Sequence, residues 1–400
     1  MTLRKSRASQ RLLLLIPFVV AVAGCKPSTE SHSDKNAELP KKWELTLCNR
    51  SEGGLALSDD GTIVIACQDG FVYAVDSSGK LQWKTYIGAT LASPAIGPDG
   101  AIYIPNNNGA VYALNRSGSQ RWKSIVYEGN TLGHNAGAIG NSFLFTPSRD
   151  GLKAVNLSDG RVEWTTQLGT EQWGAVTLLN DGTVLFGGHG RLNAVNTRGD
   201  SLWQYPALTD QALQRNGGFP PPGPFAAVSG IVPGLDHTLY MGMGHNALAA
   251  VGQDAVLRWQ FDSRGTTLNT ASPVISSDGT IYFAHSNGHL YAFDSLGTKK
   301  WDLDMLGQVA ATPLLASDGT IFVMGAHYLW VVTPSGQVLS KQDVGSVITS
   351  SPTLAPDGTI YVINELGVLA AYTGGHGGLM DSPWPKFQAD LSNSGNERPR

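Results

Sequence analysis

The sequence predicts an all-β fold: an eight-bladed β-propeller closed by the N-terminal strand as the outer strand of the last blade. Three observations predict it. A pattern of about 40 residues recurs eight times, each copy reads as four short strands, and the last copy lacks a fourth strand while a spare one stands at the other end of the chain.

The recurrence is visible by eye: "DGAIYIPNNNGAVYALN" at 99–115 returns as "DGTIYFAHSNGHLYAFD" at 278–294. Second strands begin at 62, 101, 142, 183, 238, 280, 320 and 359. Six copies place Asp-Gly between the first and second strands, at Asp60, Asp99, Asp181, Asp278, Asp318 and Asp357. Gly accepts positive φ without steric cost, so the pair marks a hairpin. One carboxylate per turn, spread around a ring, cannot give a calcium ion its six to eight oxygens.

The second strands, such as "TIVIA", "AIYIP" and "TIYVI", are apolar at consecutive positions, so both of their faces must be covered. Sheets stacked around an axis meet that demand. A tryptophan near the start of the fourth strand recurs as Trp83, Trp122, Trp164, Trp203, Trp259 and Trp301, with Ser340 in the seventh copy. The eighth copy stops at "GVLAAYTGG", and "KKWELTL" with Trp43 supplies the missing strand. Closure of this kind removes exposed sheet edges.

The repeat resembles the quinoprotein-type, or PQQ-like, β-propeller repeat over residues 42–375. Residues 154–164, "AVNLSDGRVEW", are similar to its tryptophan-docking motif, with Asp159 and Arg161 in place of the usual Thr and Lys. A C-terminal tail, 376–400, carries "PWPKFQADLSNSG", similar to a segment often found beside such repeats. Gly-His and Trp-Asp do not recur at fixed places in every copy, as the marks of WD40 repeats do.

The first 24 residues read as a signal peptide, with Arg4, Lys5, Arg7 and Arg11 followed by an apolar run too short to span a bilayer comfortably. Val22-Ala23-Gly24-Cys25 resembles the bacterial lipobox, which implies lipid on Cys25 and a tethered soluble domain. Residues 25–41 form a polar, flexible stalk. Lys26, where inner-membrane retention favours Asp, points to the outer membrane of a bacterial envelope. Cleavage removes four positive charges, taking the formal net charge from −4 to −8, and nucleic acid is not an expected partner.

The repeat fixes fold but not activity. Quinoprotein dehydrogenases hold quinone and calcium and commonly use adjacent cysteines, and no Cys-Cys pair occurs here. Trp173 reads as packing rather than a cofactor floor. No cofactor, metal or catalytic residue is expected. His189, His245, His285 and His327 fall in turns of four successive blades, too far apart for one zinc. Cys48 and Cys67 reach the same face of the ring, and two readings stay open: a disulfide pinning the closure strand, or two buried thiols.

The widest gap, 55 residues, holds an insert within 206–230 that carries Leu213, Arg215, Phe219, three prolines and Phe225. Long loops on rigid scaffolds favour binding. Lipoproteins of the outer-membrane β-barrel assembly machinery are propellers that grip their partner with a loop bearing leucine and arginine, which Leu213 and Arg215 loosely match. The expected function is therefore a lipid-anchored, non-enzymatic scaffold, a monomer within a complex with an envelope protein. The alternative is a glycan or small-molecule binder at the channel mouth through His134, Gln172, Trp173 and Asn269. A PQQ-dependent dehydrogenase comes third.

Overall fold

The computed structural model describes residues 38–127, 137–148, 150–166, 175–188, 191–205, 230–243, 247–263, 271–309, 311–347 and 350–398. Its 32 strands pair into eight antiparallel four-stranded sheets, and no helix occurs among the described residues. The first blade shows the plan: Ala56–Leu57, Ile63–Ala66, Phe71–Val75 and Leu81–Tyr86, each hydrogen-bonded to the next. Second strands are buried at nearly every position, as their unbroken apolar runs require, whereas fourth strands alternate exposed and half-buried residues.

The eighth blade is made from both ends of the chain. Thr353–Leu354, Thr359–Ile363 and Val368–Thr373 are completed by Lys41–Thr46, with Trp43 opposite Ala371 and Thr46 opposite Val368. Pairing reaches beyond this strand, since the Thr373 N–H donates to the Pro40 carbonyl at 2.8 Å. Leu39 packs against a cluster holding Leu329, Val331 and Tyr372 of blades seven and eight.

Tryptophans join six of the blades to the next through an indole hydrogen bond. The indole N–H of Trp43 donates to Ser77 O (2.9 Å), Trp83 to Arg116 O (2.7 Å), Trp122 to Leu157 O (2.9 Å) and Trp164 to Thr197 O (3.1 Å). Trp259 and Trp301 do the same to Ser295 O and Pro334 O. Each acceptor lies in the turn between third and fourth strands of the following blade, where a glycine lies flat against the ring. A Cβ on Gly297 would come within 2.6 Å of Trp259. In the fifth blade Ala255 takes that place with φ +60 and packs beside Trp203.

This geometry explains Ser340. The eighth blade has no turn between third and fourth strands, because its fourth strand arrives from the N-terminus. A tryptophan in the seventh blade has nothing to dock on, and the small, buried Ser340 stands there instead.

The first turns are structural, as their Asp-Gly pairs imply. Each Asp Oδ1 accepts the N–H two residues on, as in Asp60 to Thr62 (3.0 Å) and Asp357 to Thr359 (2.9 Å). The fifth blade does this with Asp236 and Thr238, while His237 takes the glycine's left-handed backbone at φ +62. Only the third blade departs among these turns: Ile139 pairs with Leu144, leaving four residues where the second blade has five between Ile96 and Ile102.

The C-terminal tail crosses the face that carries these turns. N–H groups of Leu57, Ile96, Ile139 and Leu178 donate to the carbonyls of Leu391, Ser392, Ser394 and Gly395. Ile275 and Leu315 donate to Trp384 and Pro385. The donors end the innermost strands of six blades, so the tail closes the channel at this face. At its centre Lys386 is buried, with Nζ donating to Phe387 O (2.8 Å), Asp390 O (2.9 Å) and Asn393 Oδ1 (2.6 Å). Asn393 in turn donates to Leu55 O and Pro94 O, both at 3.0 Å.

Candidate functional site

With the turn face closed by the tail, the candidate surface is the opposite, connector face. Fourth strands end there beside the turns between second and third strands. Ile87 N donates to Gly70 O (2.8 Å), Val126 N to Gly109 O (2.9 Å), Met305 N to Gly288 O (2.8 Å) and Val344 N to His327 O (3.0 Å). Asn106 and Asn364 lock the same junctions, donating to Ile87 O (2.7 Å) and Val344 O (3.1 Å).

The sequence between Tyr205 and Gly230 carries Leu213, Arg215, Phe219 and Phe225. Those four residues lie outside the described residues, as do His134, Gln172, Trp173 and Asn269, and also Cys25, His189 and His245.

What the described half of the face presents is an arc of apolar side chains. Tyr86 is 66% exposed and Ile125 55%, each ending a fourth strand; Leu306 is 71% exposed, Val347 49% and Leu366 58%, in connectors or at a turn tip. The Tyr86 ring meets the edge of Phe71 at 5.3 Å. Leu306 holds φ +57, a conformation costly for a branched residue, with its N–H fixed on Asp304 Oδ1 at 2.8 Å. Glu365 N donates to Val347 O (2.9 Å), bringing the last two members together. Sequence reasoning missed this arc, because its members come singly, two at strand ends and three in connectors or a turn, with no periodic pattern to mark them.

The titratable groups here serve local structure. His285 is buried, its Nδ1 accepting from Asn287 N at 3.0 Å, and burial holds its pKa below the ordinary histidine value. His327 is half-buried, 3.9 Å from Asp343, with its ring tilted 38° to that of Tyr328. Burial, and then the bond to Asp69 at 2.6 Å, push the Tyr73 phenol upward. Among the described residues no group of three or more His, Cys, Asp or Glu gathers as a metal site.

Cys48 follows the closure strand and Cys67 follows the second strand of the first blade. Their sulfurs are bonded, with Cα atoms 6.5 Å apart. The bridge ties the end of the closing strand to the next blade at the connector face, and Gly367 packs against it because a Cβ there would meet the Cys48 carbonyl at 2.2 Å.

Eight four-stranded blades, tryptophans docked on the following blade's turn and a spare N-terminal strand define a β-propeller of PQQ-like repeats. Residues 40–176, 107–316 and 188–359 match the family described as outer membrane protein assembly factor BamB. The matched stretches span most of the chain, which therefore belongs to that family. The crystal structure of BamB from Moraxella catarrhalis superposes with a TM-score of 0.65 at 18% identity, covering 84% of this chain and 99% of that one, a likeness of fold. The uncharacterized protein YxaL of Bacillus subtilis (strain 168) is 38% identical over 66 residues, 16% of this chain and 16% of its own length.

Proposed function

We propose that the chain is a non-enzymatic scaffold of the bacterial envelope, tethered by lipid on Cys25, that holds a protein partner of outer-membrane assembly on its connector face. Family membership supports the setting. The observation that carries the surface is the arc of Tyr86, Ile125, Leu306, Val347 and Leu366 on the face opposite the tail. Apolar groups exposed on neighbouring blades of a rigid ring suit protein contact, and these five stand on the connector face, while other exposed apolar residues, Leu296 at 81% among them, stand at the opposite turns. Tyr205, which ends a fourth strand just before the 206–229 connector, lies on the same face, and Leu213, Arg215, Phe219 and Phe225 of that connector are assigned to the grip.

The test is capture of the partner from crosslinked envelopes by the wild type and by a Leu213→Glu, Arg215→Glu double variant. Loss of capture with an unchanged melting temperature supports the assignment. Undiminished capture removes the connector from the interface.

A further inference from the structure

Each blade ends in an outer strand that has a sheet neighbour on its inner side alone. Such edges invite pairing with a further strand, and natural sheets blunt them with charged side chains, bulges or short strands. In seven blades the outer strand carries at least one Asp, Glu, Lys or Arg, as with Lys84, Glu163 and Lys341. The outer strand of the fourth blade, Ser201–Tyr205, reads "SLWQY" and carries none.

This strand is held firmly on one side and open on the other. Trp203 and Tyr205 pack into a cluster with Leu239 and Val251 of the fifth blade, whereas Leu202 is 50% exposed and Gln204 is exposed. In the turn just before it, Arg198 and Asp200 pair with each other at 3.8 Å. A bulge does not set this edge apart. The register shift beside Leu202 recurs at the same place in the blades on either side, between Ala154 and Val155 and between Ala250 and Val251. Beyond it Trp203, Gln204 and Tyr205 pair regularly with Ala194, Asn193 and Leu192, a stretch that runs to the connector face.

An added strand lies about 4.8 Å from its neighbour and gains main-chain hydrogen bonds, while its alternate side chains decide which sequence fits. A charged edge asks for the complementary charge opposite it. An uncharged edge with an exposed leucine asks for an uncharged strand with apolar side chains. The place suits the partner surface as well, because Tyr205 stands on the connector face and the 206–229 connector assigned to the grip follows it directly.

We propose that the free edge of Ser201–Tyr205 takes up an extended, uncharged β-strand of the protein partner as a fifth strand of the fourth blade. The identity of the partner rests on the scaffold reading above; the mode of contact rests on this strand.

Fluorescence polarisation on the full chain tests it with a labelled octapeptide of alternating valine and threonine, N-methylated on the threonines so that one edge alone can pair. The peptide is expected to bind. In a Leu202→Lys, Gln204→Lys double variant, which gives this edge the charges the other blades carry, binding should weaken about tenfold, the scale of two lost cross-strand pairs. The same peptide N-methylated at every residue should not bind. No binding of the first peptide overturns the proposal. So does equal binding by the folded double variant or by the fully methylated peptide, and so does self-association of the wild type in sedimentation that the double variant loses, which would give the edge to a second copy. Because the probe is synthetic, its failure leaves the envelope partner standing, and failure of the wild type to capture a partner leaves the pairing result standing.

Discussion

Lys386 makes the role of the tail measurable. Its ammonium is wholly buried on three oxygens, and desolvation, opposed by the nearby Asp390 charge, lowers its pKa from 10.5 to about 7. An unfolded chain keeps the proton up to about 10.4, so between the two values the unfolded state binds more protons than the folded one. Stability then rises with pH across this window, by at most ~1.4 kcal/mol per unit for one proton, and levels off above it. From pH 7 to 9 the contribution is about 2 kcal/mol, smaller near the folded pKa where the amine is half charged. Lys386→Met removes the titration and leaves three acceptors without their donor, so it should be less stable at all pH and should lack this slope. Urea unfolding followed by tryptophan fluorescence, at pH 7, 8 and 9 for both proteins, isolates the difference from the tyrosines and surface lysines they share. Parallel pH profiles would refute the reasoning, showing that the three oxygens keep the amine charged throughout.

Three further outcomes are expected. Trp259→Ala removes the bond to Ser295 and the contact on Gly297 and should cost about 3 kcal/mol, whereas Ser340→Trp should give no stabilisation, both read by chemical unfolding. Reduction of the Cys48–Cys67 bond, which spans 19 residues, should lower stability by about 3 kcal/mol in the wild type and leave a Cys67→Ser variant unaffected by reductant. Deletion through residue 37 should leave the melting temperature unchanged, while deletion through Thr46 bares the edge of Val368–Thr373 and should give aggregation in size-exclusion chromatography.

The ring was legible because its evidence repeats. Eight similar strands and a stray "KKWELTL" set blade number and closure, and Lys41–Thr46 takes the predicted place. Ser340 was visible as an exception, yet its reason appears only once the docking turn is seen to be missing from the neighbouring blade. The fifth blade's Asp236-His237 turn escaped the Asp-Gly pattern because an ordinary residue adopts the glycine's backbone there. The tail's path was illegible for a different reason. It occurs once, has no periodicity, and bonds to residues as distant in sequence as Leu57 and Leu315. The candidate residues were chosen on connectors, and the arc from Tyr86 to Leu366 was not among them, because single exposed apolar residues carry no periodic signal.

The central claim is that the connector face holds an envelope protein partner. The most direct measurement is peptide-level mapping of crosslinks on the lipidated protein captured from native envelopes. The account predicts one recurring outer-membrane assembly partner, joined through 206–229 and near Tyr86, Leu306 and Leu366. Crosslinks confined to the turns and tail of the opposite face, or none to any protein, would contradict it.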